Sequence, residues 1–455
     1  MSAVANRLLV FLLLLLVVLS PLPLGSNREW SWALCALWAG LVGLAWVVSN
    51  LGRRAEINTR IQPLIPLFFL LACAWVLVQL GTWTPGGWHH PLWQMTAENL
   101  AMDVTGRVTL SPDDSLTALM RLLAYGLVFL LALQFGRDRV IAQLTFGIIA
   151  VAGLAYAGFG LAVYWGGYEA EWLFGGRQMP HDVRSTFVNR NHYATWQGLT
   201  LLCAFAWIYH RMAKQPVKPY AVPMDREEQA VDFILKVWKP LTVLLLMVAA
   251  LLLSHSRGGF ASTMAATIVL LLLLDRRAQS KKNRMRLVAV SAIVVAGIAF
   301  LITSEALLDR INRTDITTEE RMAVYTSVNR AIGDNPVLGF GYGTFASSYL
   351  LYDPLESGVL YDRAHNTWLE NAFELGVPAA LALYLALGGL ALTCLKGVRR
   401  RHRDWVFPAT GVAASVLVGL HATLDFSLQI PAVAILYACI MGVACAQSYS
   451  SVADR

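Results

Sequence analysis

Four clusters of polar residues interrupt an otherwise apolar chain, and each holds groups suited to binding an anion or moving a proton. The first, "RSTFVNRNHYATW", gathers Arg184, Asn189, Arg190, Asn191 and His192 ahead of a long apolar run. Arginine guanidinium groups grip phosphate oxygens in bidentate geometry, and neighbouring amides hold such groups in register. The plainer role for these residues is interfacial snorkelling and helix capping. The second cluster, "LSHSRGGFAS", sets Ser254, His255, Ser256 and Arg257 beside two glycines between apolar stretches. A tight re-entry turn accounts for the glycines but not for Arg257, which at that depth needs a carboxylate or a ligand phosphate.

The third cluster pairs Arg321 with Arg363, His365 and Asn366 of "RAHNTWLENAFELG". A histidine beside an amide suits acid–base or acceptor-orienting work, although capping is the ordinary use of such residues at a helix start. The fourth, "HATLDFSLQIP", holds His421 and Asp425, the latter placed to orient a histidine or pair an arginine.

The elements that must position these groups are membrane helices. The 455 residues are 57% hydrophobic and 14% charged, against about 25% charged in a soluble domain, so a large soluble enzyme is excluded. A span needs about 20 mostly apolar residues. Twelve runs qualify or nearly so: 8–24, 31–49, 62–82, 117–135, 140–165, 191–209, 240–254, 259–274, 287–304, 374–395, 406–423 and 430–447. The pair around the Ser254–Gly259 break is short, which sets the count at ten to twelve. The first run follows Arg7 without a small-residue cleavage site and is expected to be retained. The expected organisation is nine spans over 1–304, a large outer loop over 305–373, and three spans with a tail over 374–455.

The formal charge of +7 suggests nucleic-acid binding until its distribution is considered. With the N-terminus in the cytoplasm, the inner segments hold 24 of the 36 basic residues and 9 of the 29 acidic ones. That split obeys the positive-inside rule. Clusters such as Arg276-Arg277 and Arg399–Arg401 then meet lipid headgroups, and no nucleic-acid partner is expected. Asp225–Trp238 places apolar residues at helical spacing and is expected to lie along the inner surface.

Three outer segments exceed simple turns: 83–116, 166–190 and 305–373. In the last, Thr317-x-x-Glu320 forms a capping box that opens a helix to about Ile332. Asn335-Pro336 stops it, and the loop "GFGYGTF" follows. Seven of the nine histidines (His89, His90, His181, His192, His255, His365 and His421) fall on the outer side, so any catalysis faces outward. Tyr349, Tyr352 and Tyr361, with Trp83, Trp88 and Trp93, offer rings for stacking on sugars, although an interfacial aromatic belt explains the tryptophans as well. The acidic pairs Asp113-Asp114 and Glu169-x-Glu171 lack partner ligands and read as solvated charges, so no metal and no cofactor is expected. The six cysteines lie in apolar runs with no metal or disulfide spacing.

In their order, "FVNRNHYATW", "SHSRGGF", "RMAVYTSVNRAIGDNPVLGFGYGTF" and "HNTWLENAFELGVP" resemble the O-antigen ligase/polymerase superfamily of bacterial envelope enzymes. The resemblance covers about residues 184 to 430, and the first five spans fit by topology. It implies an all-α polytopic membrane protein of about twelve transmembrane helices, a glycosyltransferase-C-like bundle with a helical periplasmic region. It further implies metal-independent transfer of a glycan from undecaprenyl diphosphate to a lipid- or core-linked acceptor at the periplasmic face of the inner membrane. Arg257, Arg321 and His365 resemble the key residues of the ligase branch, and Arg190 and His192 lie in a stretch similar to its first motif. Arg184, Asn189, Asn191, Asn366 and Asp425 are expected to bind substrate. A polymerase of the same superfamily and an O-linked protein oligosaccharyltransferase share these motifs. A polysaccharide flippase fits less well, because the polar groups gather at span ends and no half-repeat is evident.

Overall fold

Prolines begin several of the helices. One stands at the first or second position of the helices starting at Pro91, Pro112, Val377 and Pro431, where its missing N–H costs nothing and its fixed φ is already helical. The computed structural model describes residues 3–51, 60–166, 182–213, 226–275, 318–353 and 361–449. Among them are fifteen α-helices and no strand. In chain order these are α1 (Ala3–Leu19), α2 (Glu29–Asn50), α3 (Leu64–Leu80), α4 (Pro91–Leu100), α5 (Pro112–Phe135), α6 (Arg139–Gly166), α7 (Arg190–Ala213) and α8 (Arg226–Leu252). They continue with α9 (Arg257–Asp275), α10 (Thr318–Asp334), α11 (Phe345–Ser348), α12 (Thr367–Leu375), α13 (Val377–Arg400), α14 (Val406–His421) and α15 (Pro431–Gln447).

Five of these are long and apolar enough to cross a membrane: α2, α5, α6, α13 and α9 over Arg257–Leu274. Shorter apolar helices lie at Val4–Leu19, Leu64–Leu80, Trp238–Leu252, Val406–His421 and Pro431–Gln447. The described residues are therefore all-helical, with several helices of the length and composition that membrane proteins use. The run expected at 287–304, His181 and the Glu169-x-Glu171 pair fall outside the described residues. The helix expected along the surface over 225–238 is instead continuous with the next span, because α8 runs from Arg226 through Pro240 to Leu252.

Every residue of α15 is buried. A helix that is apolar all round belongs at the centre of a bundle, and α15 packs on α5, α14, α13, α7, α6 and α1. Its small residues permit close approach. A Cβ on Gly442 would meet Ala132 of α5 at 2.6 Å. Around this axis α7, α9 and α14 pack pairwise, and α13 packs on α3 and α14.

The "GFGYGTF" loop ties the extramembrane region to the bundle. Phe340 N–H donates to the Phe373 carbonyl (3.2 Å) and Gly341 N–H to the Glu374 carbonyl (3.0 Å). From α3, the buried Gln79 side chain donates to the carbonyls of Leu338 (2.7 Å) and Glu374 (2.9 Å) and accepts from Tyr342 N–H (3.1 Å). Gly341 adopts φ +108° against the side chain of Thr109. Gly341→Ala is expected to cost about 1–2 kcal/mol for the backbone alone, and more for the overlap. A lowered thermal midpoint in detergent would show this, and an unchanged midpoint would refute it.

Candidate functional site

The four polar clusters converge at one end of the bundle. The N-termini of α7, α9 and α12 come together there around the turn that links α14 to α15. Asn189 opens α7, its Oδ1 accepting from Asn191 N–H (2.8 Å). Asn191 Oδ1 then accepts from the Ser256 hydroxyl (2.8 Å), one residue before α9 begins. Asn366 opens α12, accepting from the N–H groups of Trp368 (3.1 Å) and Leu369 (3.2 Å). The adjoining Thr367 donates its N–H to the Ala422 carbonyl (2.8 Å) and its hydroxyl to the Asp425 carbonyl (3.0 Å). On the same turn, His421 Nδ1 meets the Thr195 hydroxyl of α7 at 2.8 Å. A Cβ on Gly258, beside Arg257, would meet the His421 ring at 3.3 Å.

Two histidine–carboxylate pairs stand in this cluster. His365 Nδ1 lies 3.2 Å from Asp425 Oδ1, and His255 Nδ1 lies 2.7 Å from Asp182 Oδ1. Both histidines occupy the left-handed region, at φ +51° and +53°, where a non-glycine residue costs about 1 kcal/mol or more and persists only if its surroundings hold it. For His365 those surroundings include Tyr325 of α10, whose hydroxyl donates to the His365 carbonyl (3.2 Å).

Burial works to raise the Asp425 carboxyl, but the hydrogen bond from His365 and the nearby histidines overcome it and hold the group well below the usual range. An ionised carboxylate only accepts, so Nδ1 of His365 must donate, and in the neutral ring the lone pair then lies on Nε2. Burial likewise opposes ionisation of Asp182, while the hydrogen bond from His255 and the charge of Arg190 bring it down to about 2.

Asp182 was not among the residues expected from sequence, yet it organises the first cluster. Its Oδ2 lies 3.0 Å from Arg190 and 3.4 Å from Arg184. Arg184 also donates to the Val188 carbonyl (3.0 Å), so its guanidinium braces the loop. The available signal was an acid two residues before one arginine and eight before the other. Asp182→Asn removes one partner of a largely buried charge cluster and is expected to cost about 3 kcal/mol. The carboxylate's contribution to stability is present above its unfolded value near pH 4 and is lost as pH falls through about 2. Chemical denaturation of the variant at pH 7 checks the loss, and a difference in stability between wild type and variant that is constant down to about pH 4 and shrinks below it checks the window.

The arginines divide by surroundings. Arg257 is the first residue of α9 and is exposed. Arg321 lies one helical turn from Tyr325, forms no ion pair among the described residues, and has a buried Nε without a hydrogen-bond partner. Arg363 is committed to the fully buried Glu370 (3.1 Å), whose other oxygen accepts from Ala364 N–H (2.9 Å). Burial opposes its charge, but Glu370 and Glu374 keep it protonated.

Phe426, which carried no signal in the sequence, sits among these groups. The His192 ring packs on its ring at 4.7 Å, the His365 ring at 5.1 Å and the Arg363 guanidinium at 5.8 Å. His192 is buried with Nε2 unpartnered among the described residues, within electrostatic reach of Asp425, His421, His365 and Arg363.

Other expected residues lie elsewhere. His89 meets Thr84 (3.1 Å) and His90 caps α4, so both serve the 83–116 segment. Tyr349 is buried and stacked on Phe345 at 5.0 Å, which makes it part of a small core rather than a platform for sugars. Asp113 and Asp114 stand in the first turn of α5, where the helix dipole favours acids. The six cysteines are buried and free. Among the described residues no three His, Cys, Asp or Glu side chains gather as a metal site requires.

Of the site residues, Arg257, Arg321 and His365 lie within residues 242–384, the stretch that matches a family model described as O-Antigen ligase. The match covers about a third of the chain. The Arg184–His192 cluster lies before it and Asp425 after it. No curated protein matches the chain. Over residues 242–384 the chain is therefore similar to the O-antigen ligase family.

Proposed function

We propose that this end of the bundle binds the diphosphate of an undecaprenyl-linked glycan and transfers the glycan to a hydroxyl of a lipid A-core or similar acceptor. The observation that carries the reading is the meeting of three helix N-termini with Arg257, Arg321 and the His365–Asp425 pair. Helix N-termini carry partial positive charge, which favours anions. A glycosyl diphosphate already holds a good leaving group, so the chief need is stabilisation of the charge that appears as it departs. Arg257 and Arg321 serve that purpose, while Arg190 is held by Asp182 at the start of α7.

The acceptor hydroxyl gives its proton to Nε2 of His365 as its oxygen bonds to the anomeric carbon. The bond from that carbon to the diphosphate oxygen breaks, and its electron pair leaves with undecaprenyl diphosphate. A single displacement of this kind inverts the anomeric configuration. Charge stabilisation rests on arginines and helix ends, so no step calls on a metal. The charge asymmetry of the connecting segments supports a multi-pass protein of about twelve spans in the bacterial inner membrane, with cytoplasmic termini and this site facing the periplasm.

The test is the product. Purified protein is given an undecaprenyl-diphosphate glycan of known anomeric configuration and a core-oligosaccharide lipid. Transfer with inversion is expected, and retention would sink the single displacement. The surface glycans of a deletion strain test the acceptor. Unligated long chains are the expected finding, whereas single repeat units would make the protein a polymerase and an unglycosylated protein would make it an oligosaccharyltransferase.

A further inference from the structure

The turn that presents His365 is tied back onto the helix that follows it. His365 stands at φ +51°, a conformation that a non-glycine residue keeps only where its neighbours are held. On one side the hold is Asn366, whose side chain caps α12. On the other it is Glu370, wholly buried in the first turn of the same helix. One Glu370 oxygen lies 3.1 Å from the Arg363 guanidinium, and the other accepts from Ala364 N–H (2.9 Å). Both oxygens are thus engaged by the two residues that precede His365.

The connection continues through the rings. The Arg363 guanidinium lies 5.8 Å from the centre of the Phe426 ring, and the His365 ring packs on that ring at 5.1 Å. Phe426 N–H in turn donates to Asp425 Oδ1 (2.9 Å), the oxygen that faces His365. Glu374, one turn further along α12 and also buried, serves a different element, its side chain accepting from Phe345 N–H (2.9 Å) at the start of α11. Burying an ion pair is costly, and apolar side chains of similar volume would fill the same space without that cost. What Glu370 adds is a pair of directed contacts to residues 363 and 364.

We propose that Glu370 is a positioning residue for His365: by holding Arg363 and Ala364 it fixes the turn, and with it the placement of the His365 ring between Asp425 and the acceptor hydroxyl. This rests on the role of base assigned to His365 above. Glu370 touches neither substrate, and it acts on the rate through placement alone.

The test is steady-state transfer by the purified full-length protein, with an undecaprenyl-diphosphate glycan as donor and a core-oligosaccharide lipid as acceptor. Glu370→Gln turns one accepting oxygen into a donating NH₂ and so gives up one of the two contacts. Its kcat is expected to fall about 10- to 30-fold, with KM within about twofold of wild type. Glu374→Gln is expected to keep kcat within about twofold, and an equal loss there overturns the proposal. In a His365→Ala background, Glu370→Gln is expected to lower the residual rate by less than about twofold. A full further loss in that background shows that Glu370 does not act through His365, and overturns the proposal. Should Glu370→Gln fail to fold, the paired Arg363→Met, Glu370→Met variant removes both contacts and strands no charge, and the same fall in kcat is expected of it. A normal kcat in whichever variant folds, with His365→Ala impaired, overturns the proposal alone. His365→Ala at the wild-type rate overturns the base assignment and this proposal together.

Discussion

Arg321→Ala is expected to lower glycan transfer by about 10²- to 10³-fold while leaving the protein folded and in the membrane. The asymmetry follows from what the side chain touches. Arg321 gives up no ion pair among the described residues when removed, and its Nε already lacks a partner. Its removal therefore costs little stability, in contrast to Arg363, whose loss would strand the buried Glu370. The missing charge acts on the departing diphosphate, so the effect falls on kcat more than on KM. Arg321→Lys restores charge without the planar fork and is expected to recover only part of the rate. Transfer measured at matched protein levels decides the matter, and a near-normal rate for the alanine variant removes Arg321 from the site.

Asp425→Asn is expected to be equally damaging for a different reason. The carboxylate holds His365 with its proton on Nδ1 and its lone pair on Nε2. An asparagine that turns its NH₂ toward Nδ1 selects the other tautomer, which places the proton where the acceptor's proton should go. A loss of about 10²- to 10⁴-fold in kcat follows if His365 is the base. Asp425→Glu keeps the charge and is expected to retain more activity than the asparagine variant. The backbone contacts through the Asp425 carbonyl survive both changes, so the fold serves as the control. If Asp425→Asn transfers at the normal rate, His365 does not act as the base through Asp425.

Charged residues in an apolar setting were legible in the sequence because bilayers penalise them, and Arg257 stands out for that reason, whereas Arg321 and His365 lie in the polar 305–373 segment and were marked by the motifs around them. Helix positions were legible as well: Asn335-Pro336 ends α10 at Asp334, and the break at Ser254–Gly259 separates α8 from α9. Pairing was not legible. The contact of Asp182 with His255 crosses 73 residues, and that of His365 with Asp425 crosses 60. Hydrophobic periodicity carries no information about either. Phe426 and Tyr349 show the same limit for aromatics, since composition does not distinguish a ring between two histidines from a ring in a small core. The surface helix expected over 225–238 failed on a related point. Amphipathic spacing describes a face, and it does not say whether the helix stops before the next span or runs into it.

The wholly buried α15 has a consequence for biogenesis. It is made after the helices that surround it, yet it occupies their centre. The earlier helices must therefore wait in the bilayer as an open ring, with the faces of α5 and α14 that will meet α15 turned toward lipid, until α15 slides in sideways. Quality control in the membrane then has a defined substrate in the ring that has not yet closed. A bulky residue at Gly442 would prolong that stage, so such a chain should meet membrane proteases before it ever meets a glycan.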